Sequence, residues 1–405
     1  MTTTTTQVVT HSVLWVLAAV VGGVVLMHMP DGTGPVLAVP MERLARLEGS
    51  RAAVAAALDR DPGDRLRRCR HAFSGKVVGP ETVCPYHNGS LYVLDRYGQL
   101  RRGDPSEEDP SGFALSGDDL PYIGPGRPLG YTRAGPKLLV ADSLKGLLEL
   151  DLPTRSLRVL ANRHAYVNDL DALPGEKGAP YGKVYYTSST AQPPELARDN
   201  DGAFYDTMGA YLRCMMRGDA TGRLLEYDPA THAVREVVTN LWFANGVALA
   251  KGGDFVLVVE TLGLRVLRAW LRGPRAGTVE PFVEGLPGFP DGISRSEDGR
   301  YFWLAVIAPW TPLLKLMRYR AVRGVLARML PAVPRFARAL GLVLKLRAED
   351  GAVVDVLRDA AGDHVSRVSA VTEWRGRLLL GQLQGSSVPV CDLAEMGGRE
   401  GQAPA

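Results

Sequence analysis

The sequence lacks the features that mark several large protein classes. Its 405 residues carry 47 lysines and arginines against 44 aspartates and glutamates, which gives a formal net charge of +3. A nucleic-acid-binding protein needs a stronger basic excess to neutralise phosphates. The chain also contains no P-loop, no dinucleotide-binding glycine fingerprint, no H-E-x-x-H motif and no G-x-S-x-G motif. We therefore expect no nucleic-acid partner and no site of the classes that these motifs mark.

Cysteine is also scarce. The four cysteines are at positions 69, 84, 214 and 391, and no two of them have C-x-x-C spacing. A zinc cluster is therefore not indicated. In an oxidising compartment up to two disulfides can form, with three possible pairings, and four buried thiols are the alternative. The sequence is equally compatible with both.

The long hydrophobic run of the chain covers residues 13–27, close to the N-terminus. It is short for a membrane span of about 20 residues, but no basic residue precedes it and no small-x-small cleavage site follows. We predict an uncleaved signal-anchor over 1–30, rather than a cleaved signal peptide or a buried helix. The body of this single-pass protein would then lie on the lumenal or extracellular side of the secretory pathway. The sequon at Asn88 fits this location and predicts N-glycosylation.

A second unusual segment, over residues 309–341, contains seven lysines or arginines and no acidic residue. Apolar side chains interleave with the basic ones at helical spacing. This pattern is typical of an amphipathic helix whose basic rim meets anionic lipid headgroups. We predict a helical insertion that contacts the membrane; the alternative is a helix packed on its own domain.

Strand-like apolar runs recur along the rest of the chain. They begin at Leu91, Leu138, Val184, Phe255, Phe302 and Leu378. Three of the five spacings are 46 or 47 residues, and the two longer ones contain insertions at about 190–220 and 309–341. A four-stranded unit of about 40–50 residues, repeated six times, predicts an all-β six-bladed β-propeller. We place the propeller over 73–395, after a linker and helical lead-in over 31–72 and before a tail over 396–405.

Side chains with oxygen acceptors stand about ten residues before four of these runs. In a propeller the loop that leads into each innermost strand lies at one mouth of the channel, and we expect these positions to fall in such loops. The six equivalent positions are Glu81, Pro128, Asn168, Asn245, Asp291 and Ser369. Two carboxylates that converge in an apolar channel repel each other unless a cation lies between them. The four acceptors therefore predict a site for Ca²⁺, ahead of Mg²⁺, because hard divalent cations prefer oxygen ligands.

The alternative to a metal site is that each acceptor caps a turn, since Asn-Gly and Asp-Gly are common turn dipeptides. Asp169, next to Asn168, is interpreted as a turn or supporting residue. His164 lies four residues before Asn168 and is a candidate general base at the channel mouth, with a surface or structural role as the alternative.

The ordered motifs VGPET, GRPLGY, VNDL, FANGVAL and LPGFPDGI, within roughly 73–391, resemble those of the strictosidine synthase-like proteins. The resemblance implies a six-bladed propeller, an N-terminal signal-anchor, a lumenal or extracellular catalytic domain and kinship with calcium-dependent paraoxonase-like lactonases and arylesterases. It also implies that the four acceptors hold calcium. The glutamate with which true synthases condense an amine with an aldehyde falls at Ser369 here, and a serine supplies no titrating carboxylate.

Taken together, these patterns predict a membrane-anchored, calcium-dependent hydrolase of small-molecule esters or lactones, similar to an arylesterase. Asp291 or His164 would orient or deprotonate the attacking water, and the ion would stabilise the oxyanion. One alternative is a membrane-tethered scaffold whose ion is purely structural. The other is a condensing enzyme of the synthase type.

Overall fold

The computed structural model describes residues 63–86, 88–118, 120–176, 178–199, 202–218, 220–310, 322–324, 327 and 339–397. Within these ranges the strands form six four-stranded antiparallel sheets and one separate hairpin. The first three sheets, here called blades 1 to 3, are β2–β5, β6–β9 and β10, β11, β14 and β15, and the hairpin is β12–β13.

The N-terminal half begins with a 3-10 turn over Arg65–Arg68. Its strands are β1 (Arg70–Ala72), β2 (Val83–Pro85), β3 (Leu91–Leu94), β4 (Leu100–Pro105), β5 (Phe113–Leu115), β6 (Pro128–Ala134), β7 (Lys137–Asp142), β8 (Gly146–Asp151), β9 (Leu157–Ala161), β10 (Val167–Pro174), β11 (Tyr181–Ser188), β12 (Glu195–Arg198), β13 (Ala203–Asp206), β14 (Gly222–Asp228) and β15 (Ala233–Leu241). One helix, α1 (Thr207–Arg217), lies between β13 and β14.

Blades 4 and 5 are β16–β19 and β20–β23, and blade 6 is β24–β26 with β1. Their strands are β16 (Ala244–Leu249), β17 (Phe255–Glu260), β18 (Arg265–Trp270), β19 (Val279–Glu284), β20 (Gly288–Arg295), β21 (Tyr301–Pro309), β22 (Gly341–Arg347), β23 (Val353–Asp359), β24 (Ala370–Trp374), β25 (Arg377–Gly381) and β26 (Val388–Asp392).

The first strands of the six sheets, β2, β6, β10, β16, β20 and β24, contact one another in ring order, from β2 round to β24 and back to β2. The sheets therefore radiate from a common channel, and the prediction of a six-bladed propeller is confirmed. Apolar side chains fill each space between neighbouring blades, as Leu257 of blade 4 does against Phe302 and Leu344 of blade 5.

The recurring apolar runs are the second strand of each blade and not the innermost one. The runs at Leu91, Leu138 and Phe255 lie in β3, β7 and β17, which are buried along nearly their whole length. A second strand is covered on both faces by neighbouring blades and so needs apolar side chains throughout. The residues about ten positions earlier consequently fall at the beginning of the innermost strands.

The N-terminal strand closes the ring. β1 pairs antiparallel with β26, so the outermost strand of the last blade comes from the beginning of the described chain. This strand lies in the stretch that the sequence assigned to a linker, 31–72, and the propeller therefore begins before residue 73.

A disulfide reinforces this closure. Cys69, directly before β1, is bonded to Cys391 of β26, at a sequence separation of 322. Cys84 and Cys214 are buried thiols. The bond ties the two ends of the ring, in addition to the three-residue strand pair and the hydrogen bonds of Arg68 and Arg70 to Glu395.

Two predicted membrane elements are not tested by this structure. The run at 13–27 lies outside the described residues, and so does most of the segment at 309–341. The tail beyond residue 397 is also outside them. Within the segment at 309–341, Arg323 is buried, and its Nε donates a hydrogen bond to the carbonyl oxygen of Met216 in α1 at 3.0 Å. This basic side chain therefore faces its own domain. No helix among the described residues combines the length and the apolar character needed to cross a bilayer.

The disulfide should contribute measurably to stability. We expect Cys391→Ala to lower the free energy of unfolding by about 2–5 kcal/mol, because the cross-link restricts the unfolded chain. This corresponds to a fall in Tm of roughly 3–7 °C, because the entropy of unfolding grows with the number of folded residues. Differential scanning fluorimetry with and without reductant would measure it. Cys84→Ala is the matched control and should retain the response to reductant; a wild-type Tm that is insensitive to reductant would contradict the cross-link.

Candidate metal centre

The four predicted acceptors lie at the beginning of innermost strands, where the chain is irregular. Asn168 and Asn245 are the second residues of β10 and β16, and Asp291 is the fourth of β20. Each of these strands has a break in register at that point, which indicates a β-bulge. A bulge turns a side chain away from the regular pleat. Glu81 lies two residues before β2, at the same end of its blade.

The glycines next to these acceptors are needed for packing between blades. A Cβ on Gly246 would lie 2.6 Å from the carbonyl oxygen of Asp291, and one on Gly292 would lie 2.6 Å from the carbonyl oxygen of Ser369. Neighbouring innermost strands thus approach too closely for any side chain. The Asn-Gly and Asp-Gly dipeptides are parts of strands, so the turn-capping interpretation of Asn245 and Asp291 is wrong.

The backbone two residues before several of these positions is left-handed. Tyr166 has φ of 48° and Phe243 has φ of 60°, and Gly79 and Arg367 share this conformation. For a bulky residue it costs roughly 1–2 kcal/mol. The recurrence at four blades shows that the ring imposes one backbone path at the channel mouth.

Hydrogen bonds fix the orientation of both carboxamides. Nδ2 of Asn168 donates to Oγ of Ser189 at 3.0 Å, and Nδ2 of Asn245 donates to Oγ1 of Thr261 at 3.1 Å. Thr261 in turn donates to the carbonyl oxygen of Pro290 at 2.8 Å, in the next blade. Each amide nitrogen is thereby committed, which fixes the direction of the amide oxygen.

Three buried oxygens of the set have no hydrogen-bond partner among the described residues. They are Oε2 of Glu81 and the Oδ1 atoms of Asn168 and Asn245. A buried acceptor without a partner costs about 1–3 kcal/mol. Three such atoms in one cavity, together with the carboxylate of Asp291, have the chemistry that a hard cation requires of its ligands.

Burial and mutual repulsion perturb the two carboxylates. Burial, and then the neighbouring charge of Asp291, raise the pKa of Glu81 well above its usual range, while Arg127 opposes the shift. Burial raises the pKa of Asp291 to about 8, although a hydrogen bond from Asn245 lowers it. The two groups are thus close enough to influence each other, as a shared cation site requires.

A cavity of about 650 Å³ joins all four acceptors. The insertion between β11 and β14, which contains β12, β13 and α1, covers the cavity and is here called its roof. Residues of β13 and α1 line the cavity. The carboxylate of Asp206 caps the helix by accepting a hydrogen bond from the backbone N–H of Gly209 at 2.9 Å, and Gly218 ends it in a left-handed conformation. The side of the cavity is aromatic: Phe243 makes edge contacts with Tyr166 and Tyr211, at ring-centre distances of 5.3 and 5.0 Å.

Within the described part of the chain, no three histidine, cysteine, aspartate or glutamate side chains gather as a potential metal site. The four acceptors at the channel mouth include only two carboxylates, and the other two ligands would be the carboxamide oxygens of Asn168 and Asn245. The fit of this set to a cation therefore rests on the buried amide oxygens.

The remaining candidates lie elsewhere. His164 is not among the residues that line the cavity, and its Nε2 lies 4.0 Å from Oε1 of Glu236. Asp169 bridges two blades, because its Oδ2 accepts a hydrogen bond from the backbone N–H of Val247 at 2.9 Å. Pro128 begins β6 and supplies no acceptor. Asn88 is exposed beside the β2–β3 hairpin.

Ser369, at the position of the synthase glutamate, is fully buried and outside the cavity lining. Its hydroxyl donates to the carbonyl oxygen of Glu81 at 3.5 Å and so joins blade 6 to blade 1.

Sequence reasoning missed Arg127, which lines the cavity and is 3% exposed. It directly precedes Pro128, so a search for positive charge at the six positions and their immediate neighbours would have found it. The roof residues carry no such signal, because no repeat marks an insertion.

Comparison with known proteins shows the family of the chain. A sequence model of the strictosidine synthase family matches residues 200–274. The human adipocyte plasma membrane-associated protein is 32% identical over 356 residues, which cover 80% of this chain and 77% of the human protein. The chain belongs to the strictosidine synthase-like family.

The family also includes plant relatives. Strictosidine synthase-like 2 of Arabidopsis thaliana is 34% identical over 278 residues, or 64% of this chain and 68% of the plant protein. Among solved structures, a gluconolactonase of Xanthomonas campestris has a similar fold, with a TM-score of 0.51, 15% identity and coverage of 81% of this chain and 90% of that one. At this identity the likeness concerns the fold alone.

The pKa of Asp291 predicts how the metal-free protein responds to pH. Because the folded state holds a proton up to about pH 8 that the unfolded chain releases near pH 4, the free energy of unfolding should fall as the pH rises between these values. We expect the Tm in chelator to decrease from pH 5 to pH 8, and calcium to restore it at pH 8. Asp291→Asn should flatten the decrease, whereas the exposed control Asp254→Asn should not. Equal pH profiles for both variants would contradict the assignment.

Gly246 offers a test of the close strand approach. We expect Gly246→Ala to lower the free energy of unfolding by about 1–3 kcal/mol, because its methyl group would overlap the backbone of Asp291. It should also weaken calcium binding about 10-fold or more, as for other changes behind metal ligands. Denaturant melts and calorimetric titration would measure these effects. Gly117→Ala, at an open position, is the control; unchanged calcium affinity in Gly246→Ala would count against the site.

Proposed function

We propose that this protein is a calcium-dependent hydrolase of small-molecule esters or lactones. The observation that carries the proposal is the set of buried acceptors without partners at Glu81, Asn168 and Asn245, which face one cavity beside Asp291. The lactonase-like fold of a solved neighbour is compatible with it.

The four acceptors would hold the ion. Glu81 and Asp291 together balance two positive charges, and the carboxamides supply neutral oxygens whose directions Ser189 and Thr261 fix. Calcium suits this set because it accepts several oxygen ligands in a flexible geometry. When bound, it supplies electrophilic polarisation of the substrate carbonyl.

Asp291 is our candidate for the base. Its second carboxylate oxygen can accept the proton of a water molecule as the water oxygen bonds to the carbonyl carbon. The bond between that carbon and the leaving oxygen then breaks, and the leaving oxygen takes the proton. His164, which does not line the cavity, is not supported in this role.

The aromatic side of the cavity would hold the apolar part of the substrate. Tyr166 and Phe243 form a continuous group of rings with Tyr211 of α1, and Ala210 and Cys214 of the same helix pack in this group. Such a wall favours aryl or alkyl groups and keeps water away from the reacting carbonyl.

The condensing reaction of true synthases is not supported. Ser369 has no titrating carboxylate, and its hydroxyl is directed at the carbonyl oxygen of Glu81. No other acidic residue takes its place in blade 6 among those that line the cavity.

The proposal includes a membrane-anchored protein of the secretory pathway. The disulfide Cys69–Cys391 supports an oxidising compartment, and the exposure of Asn88 supports glycosylation. The names of the animal relatives, which describe them as plasma membrane-associated, favour membrane association; the segments 13–27 and 309–341 are our candidates for attachment and contact.

Hydrolysis of phenyl acetate and of γ-butyrolactone by the full chain, in mild detergent, would test this function. We expect turnover with calcium and none with chelator. Glu81→Gln and Asp291→Asn should reduce kcat/KM about 100-fold or more, because each removes a negative charge that would hold the ion, and the ion would stabilise the developing oxyanion.

The matched controls are Glu107→Gln and Asp254→Asn, which make the same chemical changes away from the cavity and should leave kcat/KM within about twofold. A calcium-dependent Tm without any turnover would reject the hydrolase and favour the scaffold with a structural ion. Turnover that persists in chelator would reject the metal.

A further inference from the structure

The cavity contains a positive charge that the proposed reaction does not use. Arg127 lines the cavity beside Glu81 and is 3% exposed. Its Nη1 donates a hydrogen bond to the carbonyl oxygen of Gly79 at 3.0 Å. No carboxylate among the described residues forms a salt bridge with it within 4.0 Å. The guanidinium has five N–H donors, so most of its donor capacity is available to a bound molecule.

The other charged side chains around the cavity already have partners. Arg96 pairs with Asp199 at 2.8 Å, and Arg213 pairs with Glu195 at 3.2 Å. Asp206 is engaged as the cap of α1. These groups belong to the roof and its attachment, and they do not balance Arg127.

In the loaded site Arg127 would have no carboxylate paired with it. Buried Asp95 attracts the guanidinium, but it forms no salt bridge with Arg127 within 4.0 Å and lies 3.8 Å from Nε of Arg101. A divalent cation would balance Glu81 and Asp291 together, so neither carboxylate would remain to compensate the guanidinium. A buried cation without a counter-charge is unfavourable. A substrate that brings one negative charge into the cavity would complete the balance.

We propose that Arg127 binds a carboxylate on the substrate, so that the cavity selects esters or lactones that carry a monoanionic acid group. The planar guanidinium matches a carboxylate with two parallel hydrogen bonds. A single unbalanced positive charge fits a monoanion better than a dianionic phosphate. The aromatic wall of Tyr166, Tyr211 and Phe243 would hold the apolar body that joins the acid group to the ester. This assignment rests on the proposed hydrolase function.

The test compares two substrates that differ in charge alone. 4-Carboxyphenyl acetate carries the carboxylate, and 4-carbamoylphenyl acetate replaces it with a neutral amide of the same shape. With calcium-loaded full chain, we expect the acid to have a KM about 10-fold or more below that of the amide. Arg127→Gln should raise the KM of the acid about 10- to 100-fold, as expected for a charged hydrogen bond, and leave that of the amide within about twofold. Arg198→Gln, an exposed change on β12, is the control.

A binding measurement separates this proposal from the reaction. 4-Acetamidobenzoate and 4-acetamidobenzamide have an amide in place of the ester, and calorimetry gives their Kd values in the calcium-loaded protein. Tighter binding of the acid that is lost in Arg127→Gln supports the carboxylate site, even if no ester is hydrolysed. Equal Kd values for the acid and the amide in the wild-type protein overturn the proposal, even if hydrolysis is established. This comparison needs no variant, so it also tests the proposal if Arg127→Gln fails to fold. Equal weakening of both ligands in a folded Arg127→Gln would show a structural role and also overturn it.

Discussion

The close approach of neighbouring innermost strands is the constraint on which the molecule depends. At Gly246 and Gly292 the next blade lies where a side chain would be, and Gly381, at the end of the second strand of blade 6, is opposed to the carbonyl oxygen of Glu81 in blade 1. Blade 3 has Asp169 at the equivalent place, and its carboxylate bonds the backbone of the next strand instead. The bulges at which neighbouring blades meet also turn the acceptors toward the cavity. Closure of the ring and formation of the site therefore depend on the same stretches of backbone.

The acceptors at the channel mouth lower the stability of the metal-free protein and at the same time provide ligands for a cation. Buried oxygens without partners and two repelling carboxylates make the metal-free centre unfavourable, and a proton or a cation relieves it. The cost is tolerable because the interblade cores are large and the ends of the ring are cross-linked between Cys69 and Cys391. Proteins commonly accept such local cost where a site must bind something.

The number of blades and the position of the acceptors could be predicted because second strands are covered on both faces and therefore appear as evenly spaced apolar runs. The innermost strands could not be recognised directly, since their glycines and bulges resemble turns, as at Asn245 and Asp291. β1 was missed because three residues, Arg70–Ala72, carry no strand pattern and pair with a segment at the far end of the chain. The pairing of Cys69 depends on the same distant contact, and Arg127 follows no acceptor pattern.

The roof of the cavity leaves and rejoins blade 3 at one place, because Ser188 and Arg223 are direct partners across β11 and β14. An insertion whose two ends are already adjacent can change in length at little cost in loop entropy. The segment can therefore change in length or sequence while the ring and its four acceptors keep their positions. The composition of one wall of the cavity is thus separable from the closure of the ring, and exchange of this segment is a way to alter what the cavity admits without rebuilding the propeller.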